Sequence, residues 1–165
     1  MDAIQTDSVI YKILTDAAEL LNITGGIYTA GERPDGSDKE DIVINNISFE
    51  HTTPKRGITN VNIHVPDLLV VIDGLQQYKT NRERLKQLGD IVAGVIDSAV
   101  IKGININIDS SQLFADTNHE HYLNLRCSWL IAKPYTSELD VADNEFIKKL
   151  NDLENRVKKL EERQA

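Results

Sequence analysis

Apolar side chains recur along this chain with two periods, and the switches between them mark out its elements. From Ser8 to Leu21, Val9, Ile13, Ala17 and Leu20 or Leu21 return every three or four residues, the spacing of one helix face. Asp7 or Ser8 is placed to cap that helix and Gly25-Gly26 to close it. Ile27 to Ala30 follows as a short extended piece. Gly31 to Glu40 then reads as a loop, because its glycines, proline and charges cannot sustain a strand ladder. Period two takes over in Asp41 to Phe49 and in Thr59 to Val65. In the latter, Val61, Ile63 and Val65 alternate with Asn60, Asn62 and His64. With Pro54-Lys55-Arg56-Gly57 as turn material between them, these two strands predict an antiparallel hairpin that Pro66 ends.

Asp67 to Tyr78 is ambiguous, since Leu68 to Ile72 suits either a short buried strand or an apolar loop docked on a neighbour. Thr80-Asn81-Arg82-Glu83 has the capping-box pattern and opens a second long helix. The stripe of that helix runs Leu85, Leu88, Ile91, Val92, Val95, Ile96, Ala99, and Gly103 stops it. Ile104, Ile106 and Ile108 alternate with polar residues in a further strand. Leu123, Leu125, Cys127, Trp129 and Ile131 do the same in the last one, which Pro134 ends. The pattern predicts an α/β (α+β) domain over residues 1–134, a mixed, mainly antiparallel sheet of about four to five strands packed by two long helices.

A linker is expected over residues 135–142 and a C-terminal amphipathic helix over 143–165. Phe146, Leu150, Leu153, Val157 and Leu160 follow the 4-3-4-3 spacing of a coiled-coil seam. In that register Lys149 and Arg156 face Glu154 and Glu161 of a parallel neighbour, pairs of opposite sign. Arg156 to Glu161 also resembles the short trimerisation motif of some parallel coiled coils. So narrow a stripe suits a partner helix, although the same helix could pack on its own domain. About three heptads are marginal alone, so self-association needs the rest of the protein to bring several helices together.

Composition narrows the function classes. The formal charge is −8, and residues 143–165 hold six acidic and six basic side chains, so the whole excess falls on residues 1–142. Such a surface repels a phosphate backbone at a distance and disfavours tight wrapping of nucleic acid, while tolerating DNA that slides past. No apolar run approaches the roughly eighteen residues of a membrane span, and the start has no secretion-signal pattern, so a chain that is cytosolic when made, off the membrane, is expected. Cys127 is the single cysteine, which excludes an internal disulfide and a cysteine-rich zinc site and leaves core filling as its expected role.

Candidate chemistry is sparse. His119 and His121 lie two apart on an expected strand with Asp116 nearby, a set that ligand chemistry permits for a metal but that lacks a base and a further ligand pair. Asp38, Glu40 and Asp41 lack the alternating ligands of a calcium loop, and Gly25-Gly26 lacks the residues of a phosphate cradle. No nucleophile elbow occurs. No catalytic residue, metal or cofactor is therefore expected. Lys55-Arg56, at the expected hairpin tip, and Arg82 and Arg84, with Lys86, at the start of the second helix, are the basic groupings outside the tail. They are the candidate contacts to phosphates or an acidic partner, with ordinary solvated charge as the simpler alternative.

The layout over about residues 8–133 resembles the phage tail-terminator and tail-completion proteins. The likeness rests on the opening helix, Gly26-Ile27-Tyr28, the Arg33-Pro34 loop leading into Asp41-Ile42-Val43-Ile44, the strand ending at Val65, the helix after Arg82-Glu83-Arg84-Leu85, and a last strand entered through Asp116 and His119. The resemblance implies a virion structural protein without catalytic residues: a homo-oligomeric ring, commonly of six copies, at the head–tail junction. Such a ring meets portal, adaptor or tail-tube proteins, and genome DNA passes through its bore. The C-terminal helix and the Asp67 to Tyr78 insert depart from the simple pattern. In this reading Phe146, Leu150, Leu153, Arg156, Val157, Leu160 and Glu161 carry oligomerisation. The alternatives are an oligomeric adaptor or regulatory module that binds a cellular protein, and a metal-dependent hydrolase using His119, His121 and Asp116.

Overall fold

The computed structural model describes residues 3–52 and 54–131. The chain divides into two units, Met1–Pro134 and Tyr135–Ala165. The expected linker and the whole expected seam, Phe146, Leu150, Leu153, Arg156, Val157, Leu160 and Glu161, lie outside the described residues.

The first unit opens with α1 (Ala3–Asp16) and a single further turn, α2 (Ala18–Leu21). Asp7 and Ser8 thus sit inside α1 and do not cap it. Asp7 instead accepts the Asn46 backbone amide at 3.3 Å, and burial raises its pKa against the lowering effect of that bond. Gly25-Gly26 does not close the helix either. Asn22 does so, at φ 45° and ψ 50°, with its amide on the Ala18 carbonyl; asparagine adopts this left-handed conformation more readily than most side chains. The two glycines serve the next element. Gly25 N–H reaches the Glu40 carbonyl at 3.0 Å and Gly26 N–H reaches Asp41 Oδ1 at 3.0 Å. A Cβ on Gly25 would overlap that same carboxylate, so the close approach requires glycine.

Then come β1 (Ile27–Thr29), β2 (Asp41–Glu50), β3 (Lys55–Pro66), a separate hairpin of β4 (Leu68–Ile72) and β5 (Leu75–Lys79), α3 (Arg82–Ser98), β6 (Ile104–Asp116) and β7 (Glu120–Ile131). The main sheet has five strands in the order β1-β2-β3-β7-β6. β1 runs parallel to β2 and every other neighbour is antiparallel. The fold is therefore a mixed, mainly antiparallel sheet packed by two helices, α1 and α3. Lys55, Arg56 and Gly57 belong to β3 and not to a turn, because Arg56 pairs with Glu50 and Gly57 with Phe49. β6 also runs past the isoleucine alternation to Asp116. A bulge between Ile108 and Ser110 shifts its register, and the polar stretch beyond still pairs with β7.

Both helices lie on one face of the sheet. Ile10 and Leu14 of α1, and Leu85, Leu88, Val92 and Ile96 of α3, meet Val61, Ile63, Val65, Leu125, Cys127 and Trp129 in one buried core. The Trp129 indole N–H donates to the buried Thr59 hydroxyl at 3.1 Å, so the ring enters the core with its polar atom satisfied. Cys127 is buried, and burial, helped by Asp109 and Asp97, pushes its thiol up to about 12. The opposite face carries Asn45, Asn60, Asn62, Asn124, Gln112 and Arg126, with the Asn124 amide donating to Asn62 Oδ1 at 2.6 Å.

α3 starts one residue from the expected cap. Asn81, not Thr80, supplies the side-chain oxygen, which accepts Arg84 N–H at 3.2 Å. The helix stops at Ser98, and Gly103, at φ 76°, makes the turn into β6. Leu88 is fully buried where α3 meets the sheet. Leu88→Ala should lower the free energy of unfolding by about 2–5 kcal/mol with an unchanged denaturant slope, measured by urea titration.

Candidate interaction site

The end of the sheet where β3 finishes and β7 begins carries the densest chemistry in the described residues. The loop after β1 turns Arg33 onto the open sheet face at this end. Its guanidinium donates Nη1 to Glu120 Oε1 at 2.8 Å, Nη2 to Oε2 at 2.7 Å, and Nε to Asp41 Oδ2 at 2.9 Å. Glu120 and Asp41 are 3% and 1% exposed, so two carboxylates are held out of water on the strength of one cation. The bond to Glu120, which outweighs burial, and the bond to Asp41 raise the pKa of Arg33 further above its already high value. Burial alone would raise Asp41. The Ser37 hydroxyl at 2.5 Å, the Gly26 amide and Arg33 together overcome that and hold the carboxyl below its ordinary range.

His64, on the same face, lies beneath Arg33 with Nδ1 3.0 Å from Nη1 and 3.2 Å from Glu120 Oε1. One nitrogen cannot accept from the guanidinium and donate to the carboxylate together. Burial first, and then the Arg33 charge, lower the pKa of His64, which favours a neutral ring accepting from Nη1. Tyr122 stacks on His64 at 4.9 Å between centroids, and Phe114 on Tyr122 at 5.2 Å.

His64, Asp116 and Glu120 bring ligand atoms within 4.8 Å of one another, a spacing that a metal ion could bridge. Both Glu120 oxygens, however, already accept from Arg33. A cation entering here would meet a guanidinium at contact distance and would have to displace it. The cluster is better suited as an ionic tie that fastens the loop to β2, β3 and β7. Asp116 stands at the edge of the cluster: the Thr117 amide at 2.7 Å is the main cause of its lowered pKa, ahead of the opposing effect of burial, with His64 and Glu120 adding smaller lowering effects.

The triad considered from sequence is not assembled. His119 and His121 do not share a strand face, because His119 stands in the turn before β7 with φ 51°. Its ring stacks on Tyr78, centroids 3.8 Å apart and 8° from parallel. His121 joins the two ends of the β4–β5 hairpin, with Nδ1 2.6 Å from Asp67 Oδ1 and Nε2 3.1 Å from Thr80 Oγ1. The Asp67 amide adds a bond to the His119 carbonyl at 2.8 Å. These two histidines are therefore the mount of a hairpin.

That hairpin is the feature the sequence left ambiguous. Asp73 and Gly74 both have positive φ, 53° and 76°, the conformation of a two-residue hairpin turn, and the Asp-Gly pair after Leu68 to Ile72 is the signal that could have found it. Leu68, Val70, Ile72 and Leu75 fall on one face, and Leu69, Val71 and Tyr78 on the other. Apolar runs on both faces suit a strand buried on both sides. Here Leu69 is 53% exposed, Val71 67% and Leu75 66%.

The basic candidates divide. Arg84 is engaged within its own chain, with Nε on Glu40 Oε1 at 2.7 Å, Nη2 on Oε2 at 2.8 Å and Nη2 also on the Asn22 carbonyl at 2.8 Å. Glu40 and Asp41 of the acidic loop cluster are thus each matched by an arginine. Arg56 is exposed on β3 opposite Glu50, Lys55 is half-buried beside it, and Arg82 is exposed at the first residue of α3. Lys55 and Arg56 lie opposite Ile131 and Leu130 at the end of β7, while Arg82 and Arg84 follow Thr80, which meets His121 at the start of that strand. No protein-family model matches this chain, and no curated protein is similar to it in sequence.

Arg33→Met should cost about 3–5 kcal/mol of stability, because it strands Glu120 and Asp41 in a nearly dry site; urea unfolding at neutral pH measures it. The pH dependence has a definite sign. With the folded pKa of His64 depressed, the unfolded chain binds more protons below the ordinary histidine value of about 6.5, so stability falls as pH drops through and below that value. Unfolding midpoints between pH 7.5 and 5 should decline, and His64→Gln should flatten that decline.

Proposed function

We propose that this chain is a structural subunit that works by assembly, a homo-oligomeric ring component at a phage head–tail junction, as a tail terminator, tail-completion or other neck protein. One observation carries the reading: β4 carries apolar side chains on both faces of the β4–β5 hairpin, which is fixed at its base by His121 and His119 and left exposed by the described residues. An isolated two-stranded hairpin is marginal in water, and a large exposed apolar patch normally meets another protein. The order of helices and strands, which resembles the terminator pattern, supports the placement in a virion. So does the acidic excess on residues 1–142, which suits a passage that DNA traverses without adhering. No catalytic role is proposed, and the ionic cluster at Arg33 serves the fold. Portal, adaptor or tail-tube proteins are the partners in this reading. The Leu150 to Leu160 seam would recruit helices from copies or partners, and no membrane is involved.

The second reading, an oligomeric adaptor for a cellular protein, draws on the same hairpin. Neighbouring genes separate the two: portal and tail genes beside this one favour the virion, and their absence favours the adaptor.

Light scattering and electron microscopy of the purified chain should give a particle of several copies. Val71→Asp with Leu75→Asp should shift it toward monomer, as should Leu153→Asp with Leu160→Asp if the seam contributes. A strict monomer at high concentration, unaffected by either pair, overturns the assembly reading.

A further inference from the structure

Resting on that assembly reading, we infer that the β4–β5 hairpin of one copy seats in the groove between α3 and β6 of a second copy. The groove exists because α3 covers only the first half of β6. Beyond the bulge at Asp109, every β6 residue from Ser110 to Asp116 is exposed, and neither α1 nor α3 shields the strand's core-side residues there. The cleft left open measures about 550 Å³, with Leu85, Gly89, Ile108, Leu113, Leu123 and Leu125 along its floor and walls. Gly89 lets α3 lie close to β7, since a Cβ there would come within 2.5 Å of Leu123 Cδ2. The cleft is thus an apolar slot with a strand on one side, the shape that receives a narrow two-faced apolar insert.

The hairpin is such an insert, and the charges match at both of its ends. Its tip carries Asp73, and its base carries Lys79 six residues later. The groove rim carries Arg82 and Lys86 toward the start of α3, and Asp90 and Asp109 farther along. Lys86 is already paired with Asp90 at 2.5 Å, while Arg82 has no ion-pair partner among the described residues, so Arg82 is the cation open to Asp73. From Arg82 to Asp90 the helix rises about 12 Å. The hairpin spans about 14–17 Å from tip to base. Seated with its tip toward Arg82, the hairpin places Lys79 near Asp109, with Asp90 alongside already held by Lys86. The reverse direction sets Asp73 against the two aspartates and is disfavoured.

The occupant is a second copy and not the hairpin's own chain. Each subunit carries both halves of the contact. The mount through Asp67, Thr80, Tyr78 and the two histidines fixes the hairpin in a position where Leu69, Val71 and Leu75 are more than half exposed. A contact that uses different patches on the two partners is head-to-tail, and it closes into a ring or continues as a filament.

Disulfide trapping tests this, because Cys127 is buried and leaves an introduced thiol as the reactive one. The probes are the full chain with Leu75→Cys and the full chain with Leu113→Cys, mixed in equal amounts and mildly oxidised. The expected result is a mixed dimer of the two variants in at least tenfold excess over either self-pair, and a ladder of covalent oligomers from the double variant. Asp73→Asn, which keeps a residue tolerant of the left-handed turn, should reduce the trapped fraction severalfold, and so should Arg82→Glu. Trapping mainly between two Leu75→Cys chains means that hairpins meet each other; this overturns the inference and leaves the assembly reading standing. An internal disulfide in a monomeric double variant overturns it by placing the hairpin in its own groove. A particle that is monomeric by light scattering before oxidation removes both.

Discussion

A single guanidinium holds one end of this molecule together. Arg33 meets both oxygens of Glu120, one oxygen of Asp41 and the ring of His64, and these three residues belong to β7, β2 and β3. Without it, two nearly dry carboxylates would lose their cation, and the first half of the loop of residues 31–40 would lose its tie to β7, leaving Glu40 held by Arg84 and Ser37 held on Asp41. Its reach is longer than its own contacts. Glu120 opens β7, so the tie sets where the β6–β7 turn lies. His119 and His121, one on each side of Glu120, then fix the hairpin. A buried ion pair of this kind adds little net stability over an apolar equivalent, but its geometry is exacting, and it specifies one arrangement.

The architecture was legible in the sequence wherever one face of an element is buried and the other is wet. β3, β7 and α3 all fit that description, and their stripes of Val61, Ile63 and Val65, of Leu125, Cys127 and Trp129, and of Leu85, Leu88 and Val92 coincide with the core. The misplaced features share a different cause. Helix ends and caps depend on one hydrogen bond each: Asn22 closes the first helical stretch and Asn81 caps α3, while Asp7, Gly26 and Thr80 are engaged by Asn46, Asp41 and His121 far along the chain. β6 beyond Ile108 carries Ser110, Ser111 and Gln112 and is exposed along its length, so it has no alternation to read. The ionic site was the least legible part. Arg33 and Glu120 are 87 residues apart, and the loop that brings them together has no local signature.

The hairpin sets a local preference against a global one. Its first strand, β4, has the apolar content of an interior, and its turn has the chemistry of a free-standing loop tip. Most proteins keep such segments short or covered, because exposed apolar strands invite aggregation. Here the segment is mounted by hydrogen bonds and ring stacking at its base, which limits the conformations it can explore. A rigid presentation lowers the entropy lost on docking, so the same contacts yield tighter association than a flexible loop would.

The face of the sheet away from the helices has a different character. Its middle is a field of side-chain amides, Asn45, Asn60, Asn62, Asn124 and Gln112, with Arg126 as the lone formal charge among them. Amides offer donors and acceptors in equal measure and attract no ion atmosphere. Such a surface offers exchangeable, water-like contacts whose strength depends little on ionic strength, whereas the charged end at Arg33 is largely enclosed within the fold, its carboxylate partners nearly dry.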